Sequence, residues 1–462
     1  MLHVSIRFTS NLRKSALSSQ REMRDIVHLT IPIVIGLVAG LLMGIIDTMM
    51  VSPLGGSTLA AAGLATSAFI FVNSAVIGFV SVMGVKVAQA VGSDSKTSAG
   101  GAIAASMILT FCLASFSTVV MLISTPLISD LAPNRDILVL LESYWITLSF
   151  AAVPHVFLAA MRGFYSAIDR PWIGVLFTLL GVLLNIPLNW VFIHGWAGFD
   201  GMGLVGAGVA SFLAKLAAVA ALALHWKVAR SMRSYRSLGR FRLATLSAQF
   251  KEAFPVAVGS VGEGGAYAVA GLLMSQLGTI AIAAHQIVHS VGVIFYMVPI
   301  GLMIAVSIRT GKAFGAHDMP RLRMIWASST WLAFGWSLFV FLFVLVSRRT
   351  LSEGLAPSAD VARLASLLFG AMALVHLADC FQSTALGILR GLSDNAIPNT
   401  ISVVAYWMLA IPLAWGLGVH LGLGAFGVLT GYALGVLVTS IVLHHRVKRR
   451  TGMSANLTDA RG

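Results

Sequence analysis

Long apolar runs, broken by short polar or glycine- and proline-bearing stretches, fill this chain from residue 29 to residue 445. At 1.5 Å of rise per residue, a helix needs about 20 apolar residues to cross a hydrocarbon core of ~30 Å. The pattern predicts six such helices, over 29–51, 60–91, 99–124, 137–161, 172–194 and 203–227. Six more follow, over 252–276, 281–311, 323–347, 361–388, 396–419 and 424–445. The breaks carry turn chemistry, as in Ser52-Pro53-Leu54-Gly55-Gly56, Gly92-Ser93-Asp94-Ser95 and Gly198-Phe199-Asp200-Gly201.

The pattern also repeats. Pro32, Leu54–Gly55, Ala60 and Gly92 reappear at constant spacing as Pro255, Leu277–Gly278, Ala283 and Gly315. Further along, Leu131-Ala132-Pro133 reappears as Leu355-Ala356-Pro357, Arg162–Gly163 as Arg390–Gly391, and Ile186–Pro187 as Ile411–Pro412. The expected fold is an all-α integral membrane protein of about twelve transmembrane helices, in two pseudo-symmetric six-helix bundles enclosing a central cavity. The expected organisation is a basic tail (1–25), an N-terminal lobe (26–227), a linker (228–250), a C-terminal lobe (251–446) and a second tail (447–462). Duplicated membrane domains of this kind are the usual architecture of secondary transporters.

Composition excludes a soluble protein: 58% of residues are hydrophobic, only 10% are charged, and the mean hydropathy is +0.89. The two cysteines, Cys112 and Cys380, sit in apolar runs and read as small core residues. The first 25 residues lack the apolar core of a signal peptide.

Lysine and arginine set the orientation. They cluster in the N-terminal tail (Arg7, Arg13, Lys14, Arg21, Arg24), between Lys227 and Lys251, and at the C-terminus from Arg446 to Arg461. Lys86, Lys96, Arg162, Arg170, Arg309, Lys312, Arg321, Arg323 and Arg390 fall on the same side, and only Arg135, Arg348, Arg349 and Arg363 on the other. By the positive-inside pattern, both termini and the linker face the cytoplasm of a multi-pass inner-membrane protein. The +14 net charge then needs no nucleic acid; anionic lipid headgroups are the expected partners.

Six spans per half is an even number, so both halves insert with the same orientation, which excludes inverted five-helix repeats. The major-facilitator fold also has six plus six spans, but its basic, glycine-rich loop after the second span is missing. Instead the chain reads Ala90-Val91-Gly92-Ser93-Asp94-Ser95-Lys96. The run Asp47-Thr-Met-Met-Val-Ser-Pro-Leu-Gly, followed by Leu59-Ala-Ala-Ala-Gly, resembles the first-helix signature of multidrug and toxic compound extrusion (MATE) transporters. Similar resemblances are carried by Leu277-Gly-Thr-Ile-Ala-Ile-Ala-Ala-His-Gln-Ile, by Gly387-Ile-Leu-Arg-Gly-Leu-Ser-Asp, and by Asn185-Ile-Pro-Leu-Asn with Gly203-Leu-Val-Gly-Ala-Gly-Val-Ala. Together they cover the chain from about residue 24 to 446, and acids in the seventh and tenth spans resemble the NorM-like bacterial branch.

The chemistry lies in charges that a bilayer disfavours. A carboxylate at its centre costs at least ~2.5–3.5 kcal/mol, so each needs a partner, a wet cavity or a function. Glu263 and Asp379 are expected about 16 Å and about 14 Å from the cytoplasmic ends of their spans, at similar depth in one lobe. Neither maps onto an acid in the other half; their counterparts are Gly40 and Ala151. Mutual repulsion in a low-dielectric cavity would be relieved by a proton or a bound cation, which makes the pair a candidate coupling site for H⁺ or Na⁺. The MATE resemblance implies the same role. His376 stands one turn before Asp379 and, like Lys215 in the middle of the sixth span, is a candidate to line a cavity.

In the other half, Asp47, Asn185 and Asn189 form a candidate proton- or substrate-responsive cluster, the two amides sharing one helical face. A structural role as a capped acid near the outer interface is the alternative for Asp47. Lys215 has no partner assignable from sequence. His285 and His289 are four residues apart, which is ligand spacing, but with no third ligand they read as buried histidines. Met43, Met49, Met50, Met274, Met297 and Met303 are candidates for a soft binding wall or for ordinary packing.

These features predict a cation-coupled exporter of lipophilic, cationic drug-like compounds, acting as a monomer by alternating access without a bound cofactor. A lipid or polyprenyl-linked sugar flippase of the same superfamily is the alternative. It should have a more basic cavity, against which Asp47, Glu263 and Asp379 stand. A membrane enzyme would need clustered nucleophile, base or metal ligands, an ATP-driven pump a phosphate loop, and a channel a repeated filter ring; none is present. Reporter fusions at both termini and within 228–250 should all read cytoplasmic, and an external signal from any of them would overturn the six-plus-six arrangement.

Overall fold

The computed structural model of the chain describes residues 2–93, 96–130, 132–196, 198–236 and 243–452, with side chains from residue 19 onward apart from 96–98. The side chains of Arg7, Arg13, Lys14, Asp94, Ser95, Lys96, Leu131, Arg240, Arg242 and Arg461, and the tail from 453, lie outside the described ones. Twelve helices among the described residues are long and apolar enough to cross a membrane. They are α1 (Leu2–Val51), α2 (Gly56–Gly92), α3 (Lys96–Ile123), α4 (Arg135–Ala167), α5 (Pro171–His194) and α6 (Gly203–Val228). The second set is α7 (Leu243–Gln276), α8 (Thr279–Gly315), α9 (Met319–Leu355), α10 (Ala359–Gly391), α11 (Ala396–His420) and α12 (Gly424–Arg450). A small hairpin of β1 (Gly195–Trp196) and β2 (Phe199–Asp200) joins α5 to α6, a detail absent from the all-helical expectation.

The repeated residues are the ones that shape the breaks. Gly55 and Gly278, from the duplicated Leu-Gly pair, precede α2 and α8 with φ of 111° and 96°. A side chain at such angles would be strained, so glycine stands at both turns. The duplicated Leu-Ala-Pro run leads into matching N-caps. The Asn134 side chain accepts from the Ile137 amide at 3.0 Å at the start of α4, and Ser358 does the same for Val361 at the start of α10. Each cap satisfies a donor that the helix cannot, typically worth about 0.5–2 kcal/mol.

The chain divides into two compact units, Ile35–Val261 and Met1–Val34 with Gly262–Gly462. In the first, α4 is the hub, packed on α2, α3 and α6, while α5 lies on α6. The second repeats this with α10 on α8, α9 and α12, and α11 on α12. The duplicated Arg-Gly pair supplies a crossing point in each. Gly163 of α4 meets Gly84 of α2, where a side chain would be tight, and Gly391 of α10 meets Thr310 of α8, where there is no room for one. Close approach of helix backbones through small residues is the usual packing solution in lipid.

Residues 19–25, within the segment expected as a basic tail, are helical and supply acids. Glu22 pairs with Arg309 at 2.6 Å and Arg321 at 2.7 Å, and Asp25 pairs with Arg309 at 2.9 Å. Asp394 similarly holds Arg446 at 2.7 Å and Arg450 at 3.0 Å.

The eleventh span departs from a plain helix. Two wide π turns, Tyr406–Ala410 and Gly416–His420, flank the short α-helical piece that holds Pro412. Proline removes one ladder donor, and wider turns are a way to re-pair the neighbouring groups. Gly427, Gly431 and Gly435 recur every four residues along α12 and face this stretch. A Cβ on Gly431 would lie 2.5 Å from the Leu413 carbonyl carbon and oxygen. Gly431→Val should therefore cost about 1–3 kcal/mol through overpacking, read as a lower midpoint of thermal unfolding in detergent. An unchanged midpoint would contradict the close crossing.

Candidate functional site

Within the unit Ile35–Val261, α1, α5 and α6 bring four polar side chains together. Asn189 Nδ2 donates to Asp47 Oδ1 at 2.6 Å, and Ser211 Oγ donates to Asp47 Oδ2 at 2.7 Å. Asn189 Nδ2 also lies 3.0 Å from Asn185 Oδ1, and Asn185 Nδ2 donates to Ser211 Oγ at 3.2 Å. The expected cluster of Asp47, Asn185 and Asn189 is thus assembled, with Ser211 as a member that sequence reasoning missed. Both amides are fully buried, and Asn189 Oδ1 has no hydrogen-bond partner among the described residues. Four-residue spacings make this possible: Asn185 to Asn189 on α5, and Ser211 to Lys215 on α6.

Asp47, Ser211 and Lys215 also line a cavity of about 370 Å³ contained in this unit. Its wall is largely apolar, with Met43, Phe69 and Leu158, and it includes Tyr144, His155 and Arg162. Lys215 Nζ lies 5.6 Å from the Phe69 ring centroid and within electrostatic range of Asp47. Arg162 Nη1 donates to the Gly36 carbonyl at 2.9 Å. Arg162, read from sequence as a loop charge, is therefore a helix residue of α4 that lines the cavity.

In the other unit, Glu263 of α7 and Asp379 of α10 are within electrostatic range of each other. Glu263 accepts a hydrogen bond from Tyr296 Oη at 2.7 Å, while Asp379 accepts none among the described residues. Four tyrosines surround the pair: Tyr267, Tyr296, Tyr406 and Tyr432, all in electrostatic range of Asp379. Tyr406 and Tyr432 stack at 6.1 Å, and Gln382 Nε2 lies 2.6 Å from Tyr406 Oη. Arg390, also read as a loop charge, is buried in the last turn of α10 within range of Glu263. Two nearby carboxylates, one of them hydrogen-bonded by a tyrosine hydroxyl, make a surface suited to a proton or a small hard cation.

His376 is buried, packed against Phe295 with ring centroids 6.2 Å apart, and its Nδ1 has no partner among the described residues. Its neighbours are Phe295, Met372 and the backbone at Gly292. His289 Nδ1 lies 2.7 Å from Tyr267 Oη, and its ring stacks on His285 at 6.1 Å.

The chain as a whole is similar to known proteins. The MatE family pattern matches residues 32–191 and again 255–415, one copy in each half. The chain belongs to the MATE family. It is a multi-pass membrane transporter and not an enzyme. A probable multidrug resistance protein NorM of Pseudomonas aeruginosa is 30% identical to it over 91% of this chain and 88% of that protein. The NorM multidrug resistance protein of Photobacterium profundum is 28% identical over 93% and 96% of the two chains. Among solved structures, an outward-facing multidrug resistance MATE transporter aligns with a TM-score of 0.85 at 21% identity, covering 94% of this chain and 96% of that one. The Vibrio cholerae MATE transporter VcmN in its bent form aligns at 0.84 and 18% identity, covering 96% and 99%. The two family matches start at Pro32 and Pro255, the same pair from which the internal repeat is read.

In this MATE protein the hydrogen bonds to Asp47 involve a charged acceptor and should couple energetically, by about 1 kcal/mol or more. A double-mutant cycle of Asp47→Ala and Ser211→Ala, read as unfolding midpoints in detergent, should therefore be non-additive. Strict additivity would mean that the contact contributes nothing.

Proposed function

We propose that this transporter is an antiporter in which inward movement of H⁺ or Na⁺ drives export of lipophilic drug-like compounds, cationic ones among them, by alternating access. The NorM relatives support the drug-export part, since their names describe multidrug resistance proteins. The observation that carries the coupling part is the Glu263–Asp379 pair. Two acids from different helices lie within electrostatic range of each other in a unit built by duplication, and neither is required by the repeat. A cation bound there stabilises whichever state brings the carboxylates together. It can drive transport only because it binds the two states unequally. The proposed setting is the inner membrane, with both termini cytoplasmic, the protein acting as a monomer.

A flippase for an anionic lipid is the second reading. Lys215 and Arg162 in the cavity of the other unit favour it, and the carboxylate pair weighs against it.

Efflux into inverted vesicles, driven separately by a proton and a sodium gradient, tests the coupling. Glu263→Gln and Asp379→Asn should each lower gradient-driven transport by at least about tenfold at normal membrane levels, since each removes a carboxyl group that would hold the coupling proton or cation. If both variants still pump at the wild-type rate, the coupling site lies elsewhere.

A further inference from the structure

The cavity in the unit Ile35–Val261 has an uneven charge balance. Among the described residues Asp47 is the one carboxylate on its wall, and both its oxygens already accept hydrogen bonds, from Asn189 and Ser211. Two basic side chains, Arg162 and Lys215, share the wall with it. Arg162 has one guanidinium nitrogen anchored on the Gly36 carbonyl, which fixes its position beside the cavity. Lys215 forms no hydrogen bond and no ion pair among the described residues, and its ammonium rests near the face of Phe69. The other titratable groups on the wall are Tyr144 and His155, and His155 is packed edge-on against Phe69 at 5.5 Å. An ammonium has three donors and no acceptor, so at this depth it needs an anionic or strongly accepting partner. The surrounding Met43, Phe69, Leu148 and Leu158 offer an apolar wall for the rest of a ligand.

We propose that Lys215 is a specificity-determining residue which receives the anionic group of a lipophilic ligand, so that this cavity selects zwitterions over simple lipophilic cations. The Asp47 cluster accommodates the ligand's positive end, and Lys215, assisted by Arg162, holds its carboxylate. A charge-assisted ammonium–carboxylate contact in a water-poor site is the interaction that discriminates. The proposal rests on the export reading for the ligand's transport, but not for its binding.

A matched pair of dyes isolates the carboxylate: rhodamine B, a zwitterion at neutral pH, and its ethyl ester, a cation of nearly the same shape. Binding of both to the purified full chain in detergent is followed by fluorescence polarisation. The wild-type protein should bind rhodamine B about tenfold more tightly than the ester, as expected for one charge-assisted contact. Lys215→Met should bring that ratio to about one by strengthening the ester and weakening the acid, and Lys215→Arg should keep it. A wild-type ratio of one or less overturns the proposal without reference to any variant, and so does a tenfold ratio that survives in folded Lys215→Met. If the ratio behaves as expected but neither dye is exported under a proton or sodium gradient, the site stands and the export reading fails.

Discussion

An ionisable side chain at membrane depth has to find a partner, a polar cavity or an exchangeable cation, and the rest of this structure is arranged around that constraint. The duplicated scaffold is almost free of such groups. What it repeats are glycines at turns, prolines inside helices and one arginine per unit. Arg162 is held by a backbone carbonyl in one unit, and Arg390 lies within range of Glu263 in the other. The acids are not repeated, and so the two units differ chemically while sharing a packing plan.

The equivalence of α1 and α7 makes that difference concrete. Both carry an internal proline at the matching position, Pro32 and Pro255, and both carry an acid beyond it. Asp47 follows its proline by 15 residues and Glu263 by 8, a difference of about 10 Å along a helix. Asp47 lies in a closed set of amide and hydroxyl donors beside a lysine. Glu263 accepts a hydrogen bond from Tyr296 and lies within electrostatic range of Asp379, Tyr406 and Tyr432. In the first environment each carboxylate oxygen already accepts a hydrogen bond from the protein, while in the second, two nearby acids disfavour each other's charged form unless a proton or cation intervenes.

Much of the scaffold is legible in the sequence, because the repeat depends on residues with few substitutes. Gly55 and Gly278 hold backbone angles that other residues avoid, and the Leu-Ala-Pro run precedes the same cap in both halves. Glu263, Asp379 and the Asp47–Asn185–Asn189 cluster are legible for the opposite reason, since polar groups stand out against apolar helices. Tyr296, Tyr406 and Tyr432 are not, because a tyrosine in a membrane helix reads as packing or interface until its hydroxyl is seen near an acid. Arg162 and Arg390 sit within a turn or two of helix ends, where sequence alone assigns them to loops. Ser211 passes as a small packing residue. The π turns flank Pro412 and lie against the glycines of α12, and a proline alone does not say where wide turns will form.

The central proposal is that a proton or sodium ion held at the Glu263–Asp379 pair is exchanged for substrate. The direct measurement is the number of ions displaced when a lipophilic cation binds the purified transporter, from calorimetry in buffers of different ionisation enthalpy and in graded sodium. The account predicts release of about one proton or one sodium ion per molecule bound, abolished in Glu263→Gln. Binding that displaces neither ion in the wild-type protein would contradict it.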